Sequence, residues 1–318
     1  MKKISIVTPC FNEEENLENF YLKIKEVFQN IHGYTYEQIF IDNCSTDNTR
    51  MILEKIAAVD KNIKVIFNTR NFGHLRSWSY ALLQAYGDAV ILIACDFQDP
   101  PDLIPQFIEK WEEGYKIVLG QKTRSEEGRL MYAVRSLYYK IMKTISEFGH
   151  LDHVTGFGLY DQMVIEKFRE LDDPHPYYRG IICDLGYKVE LIEYTQPRRK
   201  GGKSSYNFFK YFDAAIEGIT STSKAPMRIA SLGGLLLTGI SISVLLLLIV
   251  LKIIYGDSIN VGMVMIAAGL FLFGSVQLTF IGMIGEYIYN IQTKIDKRPL
   301  VVEQRRINFA DADGENGR

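Results

Sequence analysis

The chain has 318 residues, 47% of them hydrophobic, and a formal charge of −2 at pH 7. That near balance excludes the basic excess of a general nucleic-acid binder, so no nucleic-acid partner is expected. Its four cysteines, Cys10, Cys44, Cys95 and Cys183, match no zinc spacing and are too sparse for a disulfide framework, which fits a reducing compartment.

Short β-rich runs alternate with helical patterns from the start. Residues 4–8 read as an apolar strand ended by Pro9. Leu17, Phe20, Tyr21, Ile24, Val27, Phe28 and Ile31 then recur at helical spacing and make one apolar stripe. Strands are expected at 39–41, 64–67, 89–94 and 117–119, with helices near 52–56, 77–86 and 103–111 between them. Asp47 is placed to cap the first of those helices. This alternation predicts an α/β domain with an open, mostly parallel sheet. Ligands of such sheets bind beyond the carboxyl ends of the strands. That rule selects residues 9–13, 42–47, 68–73 and 96–101.

The character changes after Gly201. Phe208, Phe212, Ala215, Ile216 and Ile219 share one helical face, which suits a membrane surface and would equally suit a soluble core. Residues 229–251 and 261–284 contain no charged side chain, and each exceeds the roughly 20 residues that cross a bilayer core. The connector carries only Lys252 and Asp257, whereas both flanks are rich in Lys and Arg. The positive-inside rule then puts both flanks and the N-terminal domain in the cytoplasm. The expected organisation is a cytoplasmic catalytic domain at 1–200 and a basic loop with amphipathic interfacial helices at 201–228. A transmembrane hairpin follows at 229–288, with spans near 229–254 and 261–285, then a cytoplasmic tail at 289–318. The tail after Phe309 is acidic and Gly-rich, a composition that favours disorder. Gly233, Gly234 and Gly239 would allow a homo-oligomer, or would simply pack the hairpin.

Each chemical candidate has a plain alternative at this stage. Asp96 and Gln98 follow the fourth strand, where oxygen ligands can hold a hard divalent ion. An Asp before Pro100-Pro101 equally suits a helix start. Asp42 is placed to accept from a base or ribose, or to make an Asx turn. Phe11 is placed to stack on a base, or to pack. Arg198, Arg199, Lys200 and Lys203 beside two glycines suit a phosphate, and also suit anionic lipid heads.

In this order the segments resemble glycosyltransferase family 2, more narrowly the bacterial polyprenyl-phosphate glycosyltransferases, relatives of dolichol-phosphate mannose synthase. The resemblance is carried by residues 8–13, 41–47, Arg70-Asn71-Phe72-Gly73, residues 96–101, Thr155-Gly156-Phe157, residues 199–206, Gly285-Glu286-Tyr287-Ile288 and Arg298-Pro299-Leu300. It implies a GT-A nucleotide-sugar fold. It also implies that Pro9, Phe11, Glu13 and Asp42 bind the nucleotide, and that Asp96 and Gln98 hold a magnesium or manganese ion. Lys122 would approach the phosphates, with Arg199, Lys203 and Ser205 on the acceptor phosphate. Asp152 and the 155–157 turn would lie near the sugar, and Asp96, Asp152 and Arg199 would form the catalytic set. The implied partners are a nucleotide sugar, UDP-linked for preference, polyprenyl phosphate and membrane lipids, in a bacterial inner membrane.

Three departures stand out. Ala94 occupies the first position of the usual Asp-x-Asp, Asn43 stands where a second Asp is common, and Gly158 replaces a frequent Arg. A processive synthase is disfavoured, because neither Trp78 nor Trp111 sits in a Gln-x-x-Arg-Trp pattern. Transfer to another membrane lipid and a non-catalytic nucleotide-sugar scaffold stay as rivals.

Overall fold

The computed structural model describes residues 1–124, 151, 153–173, 176, 178–197, 225–255, 262–296 and 298–309. They fall into two compact units, one holding the sheet with its helices and the other holding two long helices.

In the first unit, β1 (Lys2–Cys10), β2 (Tyr34–Asp42), β3 (Ile63–Asn68) and β4 (Ala89–Leu92) run parallel. Between them lie α1 (Leu17–Gln29), α2 (Thr49–Val59) and α3 (His74–Leu83). A turn of 3-10 helix at Pro101–Leu103 leads into α4 (Ile104–Glu112), followed by β5 (Ile117–Arg124), β6 (Val154–Asp161), α5 (Gln162–Leu171), α6 (Tyr178–Asp184) and β7 (Val189–Thr195). Near the C-terminus comes β8 (Glu303–Ile307). The eight strands form one sheet in the order β7-β5-β6-β4-β1-β2-β3-β8. Only β6 and β8 run against the rest. Within the segment expected as a C-terminal tail, β8 thus closes one edge of the sheet. The chain turns outward on both sides of the β1–β4 pair, so the switch point of the sheet lies between those strands.

Strand periodicity sorts the core into two layers. Ile4, Ile6, Phe40, Val65 and Phe67 face α1, α2 and α4, packing with Phe20, Ile24, Leu53, Phe107 and Trp111. Val7, Ile39, Ile41 and Ile66 face the other way, packing with Trp78, Leu82, Val164 and Phe168. Each fully buried side chain of this size contributes about 1.5–3 kcal/mol before conformational entropy is counted.

Two polar clusters lock the layers. Glu37 on β2 is buried, accepts Ser5 Oγ at 2.7 Å and pairs with Lys3 and Lys64 from both neighbouring strands. Burial alone would raise its pKa, but the lysines and the serine together hold it below the ordinary value. Asp161 ends β6 and caps α5 through Met163 N at 2.9 Å, while its other oxygen accepts Trp111 Nε1 and Lys116 Nζ at 2.8 Å each.

Gly158 has a steric explanation. A Cβ there would overlap the Val118 carbonyl oxygen and come within 2.8 Å of Leu119 Cα on β5. An arginine at 158 would require β5 and β6 to separate. Gly158→Ala is therefore expected to lower the unfolding free energy by about 3 kcal/mol, read from urea denaturation. The 155–157 segment, expected as a turn, is the start of β6, and Phe157 is buried between Phe107 and Tyr194 with ring centroids at 4.9 and 5.6 Å.

The second unit contains α7 (Ala225–Tyr255) and α8 (Gly262–Ile295), 31 and 34 residues long. Among the described residues no helix is long and apolar enough to cross a membrane. The described side chains are a broken subset of each helix, so the two-helix hairpin expected from the sequence is not established by the structure. The amphipathic segment at 201–224 and the tail at 310–318 lie outside the described residues.

Candidate active site

The carboxyl ends of β1, β2, β3 and β4 gather the residues that the sequence singles out. After β1 the chain turns at Asn12, with φ 55°, and after β2 it turns at Cys44, with φ 64°. The two loops zip together. Asn12 N donates to Ser45 Oγ at 2.9 Å, and Thr46 N donates back to Asn12 Oδ1 at 2.8 Å. Glu13 N donates to Thr49 Oγ1 at 2.9 Å, and Asn48 N donates to Glu14 Oε2 at 2.9 Å. Asp47, expected as a helix cap, accepts Thr49 N at 3.0 Å while its other oxygen accepts Glu14 N at 3.2 Å. This zipper leaves the Phe11 ring 44% exposed at the loop surface, where a base can stack on it.

Asp42 lies beneath the zipper and is completely covered. Both of its oxygens accept Ser45 N, at 3.1 and 3.3 Å, and Arg50 Nε lies 3.2 Å from Oδ2. Burial pushes its pKa up, while Ser45 and Arg50 pull it back. Asp42 therefore holds the loop through Ser45 and Arg50 rather than facing open space. Arg50 in turn donates to Gln304 Oε1 at 2.5 Å, so β8 reaches this network.

Asn43 is a hub for the third loop. Its Oδ1 accepts Phe72 N at 2.9 Å and Asn68 Nδ2 at 3.2 Å, and its Nδ2 donates to Asn71 Oδ1 at 2.9 Å. Asn71 Oδ1 also accepts Gly73 N at 2.8 Å. An aspartate has no donor to offer Asn71, which accounts for the amide at this position. Asn43→Asp should cost about 1–3 kcal/mol, the usual range for a buried polar group left unsatisfied, seen as a lower melting temperature at pH 7.

Beyond β4 the chain turns at Asp96, whose Oδ1 accepts Gln98 N at 3.1 Å, with Phe97 at φ 59°. The next carboxylate, Asp99, is buried and accepts Tyr194 Oη at 2.9 Å and the Ala94 amide. Burial raises the pKa of Asp99, the charge of Lys122 and the Tyr194 hydroxyl oppose that, and the charge of Asp96 adds to it. Asp96, Asp99, Lys122 and Tyr194 are therefore electrostatically one neighbourhood. Asp99 and Tyr194 are missed by the sequence reading. Asp99 stands inside the 96–101 run, whereas no local signal marks Tyr194. At the switch point itself, Cys10 and Cys95 sit with sulfurs 3.8 Å apart, and burial pushes the Cys10 thiol up in pKa.

Asp96 and Gln98 fit a hard divalent ion in donor type: one carboxylate and one amide oxygen, in one turn beyond a strand end. Among the described residues no group of three or more His, Cys, Asp and Glu side chains gathers to hold a metal. A magnesium-like ion commonly takes one or two carboxylates and completes its shell with substrate phosphates and water. Asp152, Arg199, Lys203 and Ser205 lie outside the described residues.

Residues 5–169 match the sequence profile of Glycosyl transferase family 2. The chain is 36% identical over 298 residues to the SfII prophage-derived bactoprenol glucosyl transferase of Shigella flexneri, covering 93% of this chain and 96% of that protein. It is 34% identical over 304 residues to the prophage bactoprenol glucosyl transferase homolog of Escherichia coli (strain K12), covering 95% and 99%. It is 31% identical over 302 residues to the glycosyltransferase YkcC of Bacillus subtilis (strain 168), covering 95% and 93%. The mostly parallel sheet and its switch point are those of a GT-A-like α/β fold, and the chain belongs to glycosyltransferase family 2.

Proposed function

We propose that the chain transfers a hexose, with inversion, from a nucleoside diphosphate sugar to polyprenyl phosphate at the cytoplasmic face of a bacterial inner membrane. The observation that carries this is the pairing of an end-to-end likeness to bactoprenol glucosyl transferases with the site at the switch point. The Asp96–Gln98 turn lies there, beside the zipped loops that present Phe11 and Glu13.

The acceptor chemistry fits the residues. A phosphate monoester has a second pKa of about 6 and is already a dianion near pH 7. It can attack the anomeric carbon without a general base. The chain's task is then to position two phosphates and offset their repulsion. Pro9, Phe11 and Glu13 line the nucleotide side, with Asp42 supporting them from below. Lys122 lies beside the carboxylates at the β4 end, where the diphosphate would arrive. A magnesium or manganese ion held by Asp96 and Gln98 would neutralise the departing diphosphate. Arg199, Lys203 and Ser205 are proposed for the acceptor phosphate, and Asp152 for orienting the sugar.

The anchor reading rests on the uncharged runs at 229–251 and 261–284. A 31-residue helix is about 46 Å long, more than the roughly 30 Å hydrocarbon core. Leu232, Leu236, Ile253, Leu270, Phe273 and Leu278 are each more than 60% exposed, an apolar surface that lipid would cover. A second copy is proposed on α7, where Gly233, Gly234 and Gly239 have open space around them.

The test is a donor panel on the purified full chain. A cognate nucleotide sugar raises the melting temperature, and with magnesium or manganese plus polyprenyl phosphate it is turned over. Stabilisation without turnover would support the scaffold reading instead.

A further inference from the structure

Two segments that carry the family resemblance have no role in the proposed transfer: Arg70-Asn71-Phe72-Gly73 after β3, and Arg298-Pro299-Leu300 before β8. The fold brings them together. β8 runs antiparallel to β3 with Asn68 opposite Glu303, so the chain entering β8 crosses the end of β3. Thr69 fastens that crossing, its N and Oγ1 both donating to Val302 O at 3.0 and 3.1 Å. Arg76 on α3 fastens the other side, donating from Nε to Leu300 O at 3.0 Å and from Nη2 to Pro299 O at 2.5 Å.

Between these contacts lies a cavity of about 290 Å³ lined by Arg70, Arg76 and Arg298 together with Thr69, Phe72 and Pro299. Among the described residues that line it there is no carboxylate. The Phe72 ring holds two of the cations in place, with the Arg70 guanidinium 3.9 Å and the Arg76 guanidinium 5.7 Å from its centroid. The Arg76 donors Nε and Nη2 are taken by backbone carbonyls, which carry no formal charge. Burial first, then the charges of Arg70 and Arg298, depress the Arg76 pKa, as expected of like charges held close. An anion entering the cavity relieves that repulsion, and the oxygens of a phosphate, like those of a carboxylate, match guanidinium forks.

We propose that Arg70, Arg76 and Arg298 hold the headgroup phosphate of an anionic membrane phospholipid, at a site separate from the donor-sugar site. The lipid source rests on the membrane-anchored reading above. In sequence Arg298 follows the uncharged run at 261–284 by 14 residues, so on that reading it belongs to the basic stretch that flanks the membrane segment. The mixed lining suits a headgroup, with arginines for the phosphate and Phe72 and Pro299 for the glycerol carbons.

The experiment uses the full chain in neutral detergent, titrated with short-chain phosphatidylglycerol or phosphatidylcholine and read by native mass spectrometry. The wild type should bind phosphatidylglycerol at least about 10-fold more tightly, and the Arg70→Gln/Arg298→Gln variant should lose that preference. Millimolar inorganic phosphate should not displace the lipid. Retained preference in the variant would overturn the proposal, as would equal binding of the two lipids by the wild type. Displacement by inorganic phosphate would assign the pocket to a free anion, and displacement by uridine diphosphate would assign it to the donor; either overturns the lipid site. If the double variant melts lower than wild type, Arg70→Gln alone gives the reading, because it leaves both Arg76 contacts in place. Sugar transfer is assayed in parallel. No transfer by the wild type, with its lipid preference intact, would sink the proposed function and leave the pocket standing.

Discussion

Asp96→Ala lowers the turnover number for sugar transfer by at least about 10³-fold while the protein stays folded. A loss of that size corresponds to roughly 4 kcal/mol of transition-state stabilisation. The structural cost is small by comparison. Asp96 lies in a half-exposed turn after β4 and accepts Gln98 N, a hydrogen bond worth about 1 kcal/mol. Its charge is another matter, because the diphosphate gathers negative charge as it leaves and Asp96 is the carboxylate proposed to hold the compensating cation. Gln98→Ala should show the same defect in milder form, since a neutral amide oxygen is the weaker ligand. Circular dichroism melts beside the transfer assay separate the two costs. Full turnover in folded Asp96→Ala would remove the metal assignment.

Asp42→Ala should raise the KM for the donor by about 10- to 100-fold and lower the unfolding free energy by about 2–3 kcal/mol. Removing one partner of a fully buried pair costs roughly 3–5 kcal/mol, and Arg50 is 29% exposed, which reduces that figure. The KM effect has a route. Without the carboxylate, Ser45 N loses its acceptor, and Ser45 Oγ is what holds Asn12 N in the β1 loop. The Phe11 ring then loses its support, while the chemistry at Asp96 is untouched, so the turnover number should change far less than KM. Arg50→Ala should reproduce the pattern. Calorimetric titration with the nucleoside diphosphate checks binding directly. Lost stability with unchanged donor affinity would make Asp42 a purely structural residue.

The parts of the fold set by local pattern were readable in advance. Ile4, Ile6 and Val7 alternate between the two layers, residues 89–92 are continuously apolar, and the α1 stripe at Leu17, Phe20, Ile24 and Phe28 faces the sheet. What local pattern does not encode was missed. β8 reads Glu-Gln-Arg-Arg-Ile, a charged edge strand, and only its pairing with β3, more than two hundred residues away in sequence, makes it a strand. β6 carries Gly156 and Gly158, which weaken its strand signal, and at Gly158 the glycine is set by the Val118 carbonyl across the sheet. At the site, residue types after strands selected loops that the fold gathers at the carboxyl ends of β1 to β4. The covered state of Asp42 was not legible, because it depends on Arg50 reaching back from the first turn of α2. Nor was the reason for Asn43, which lies in the donor that Asn71 requires.

The central claim is transfer of a sugar to a lipid phosphate. The most direct measurement incubates the full chain with a labelled nucleotide sugar, a divalent metal and undecaprenyl phosphate, then extracts the lipids. The expected result is label in the organic phase only when undecaprenyl phosphate is present, released by mild acid as expected of a sugar on phosphate, with its anomeric configuration inverted relative to the donor. Label in an acid-stable lipid formed without undecaprenyl phosphate, or a retained configuration, would contradict the account.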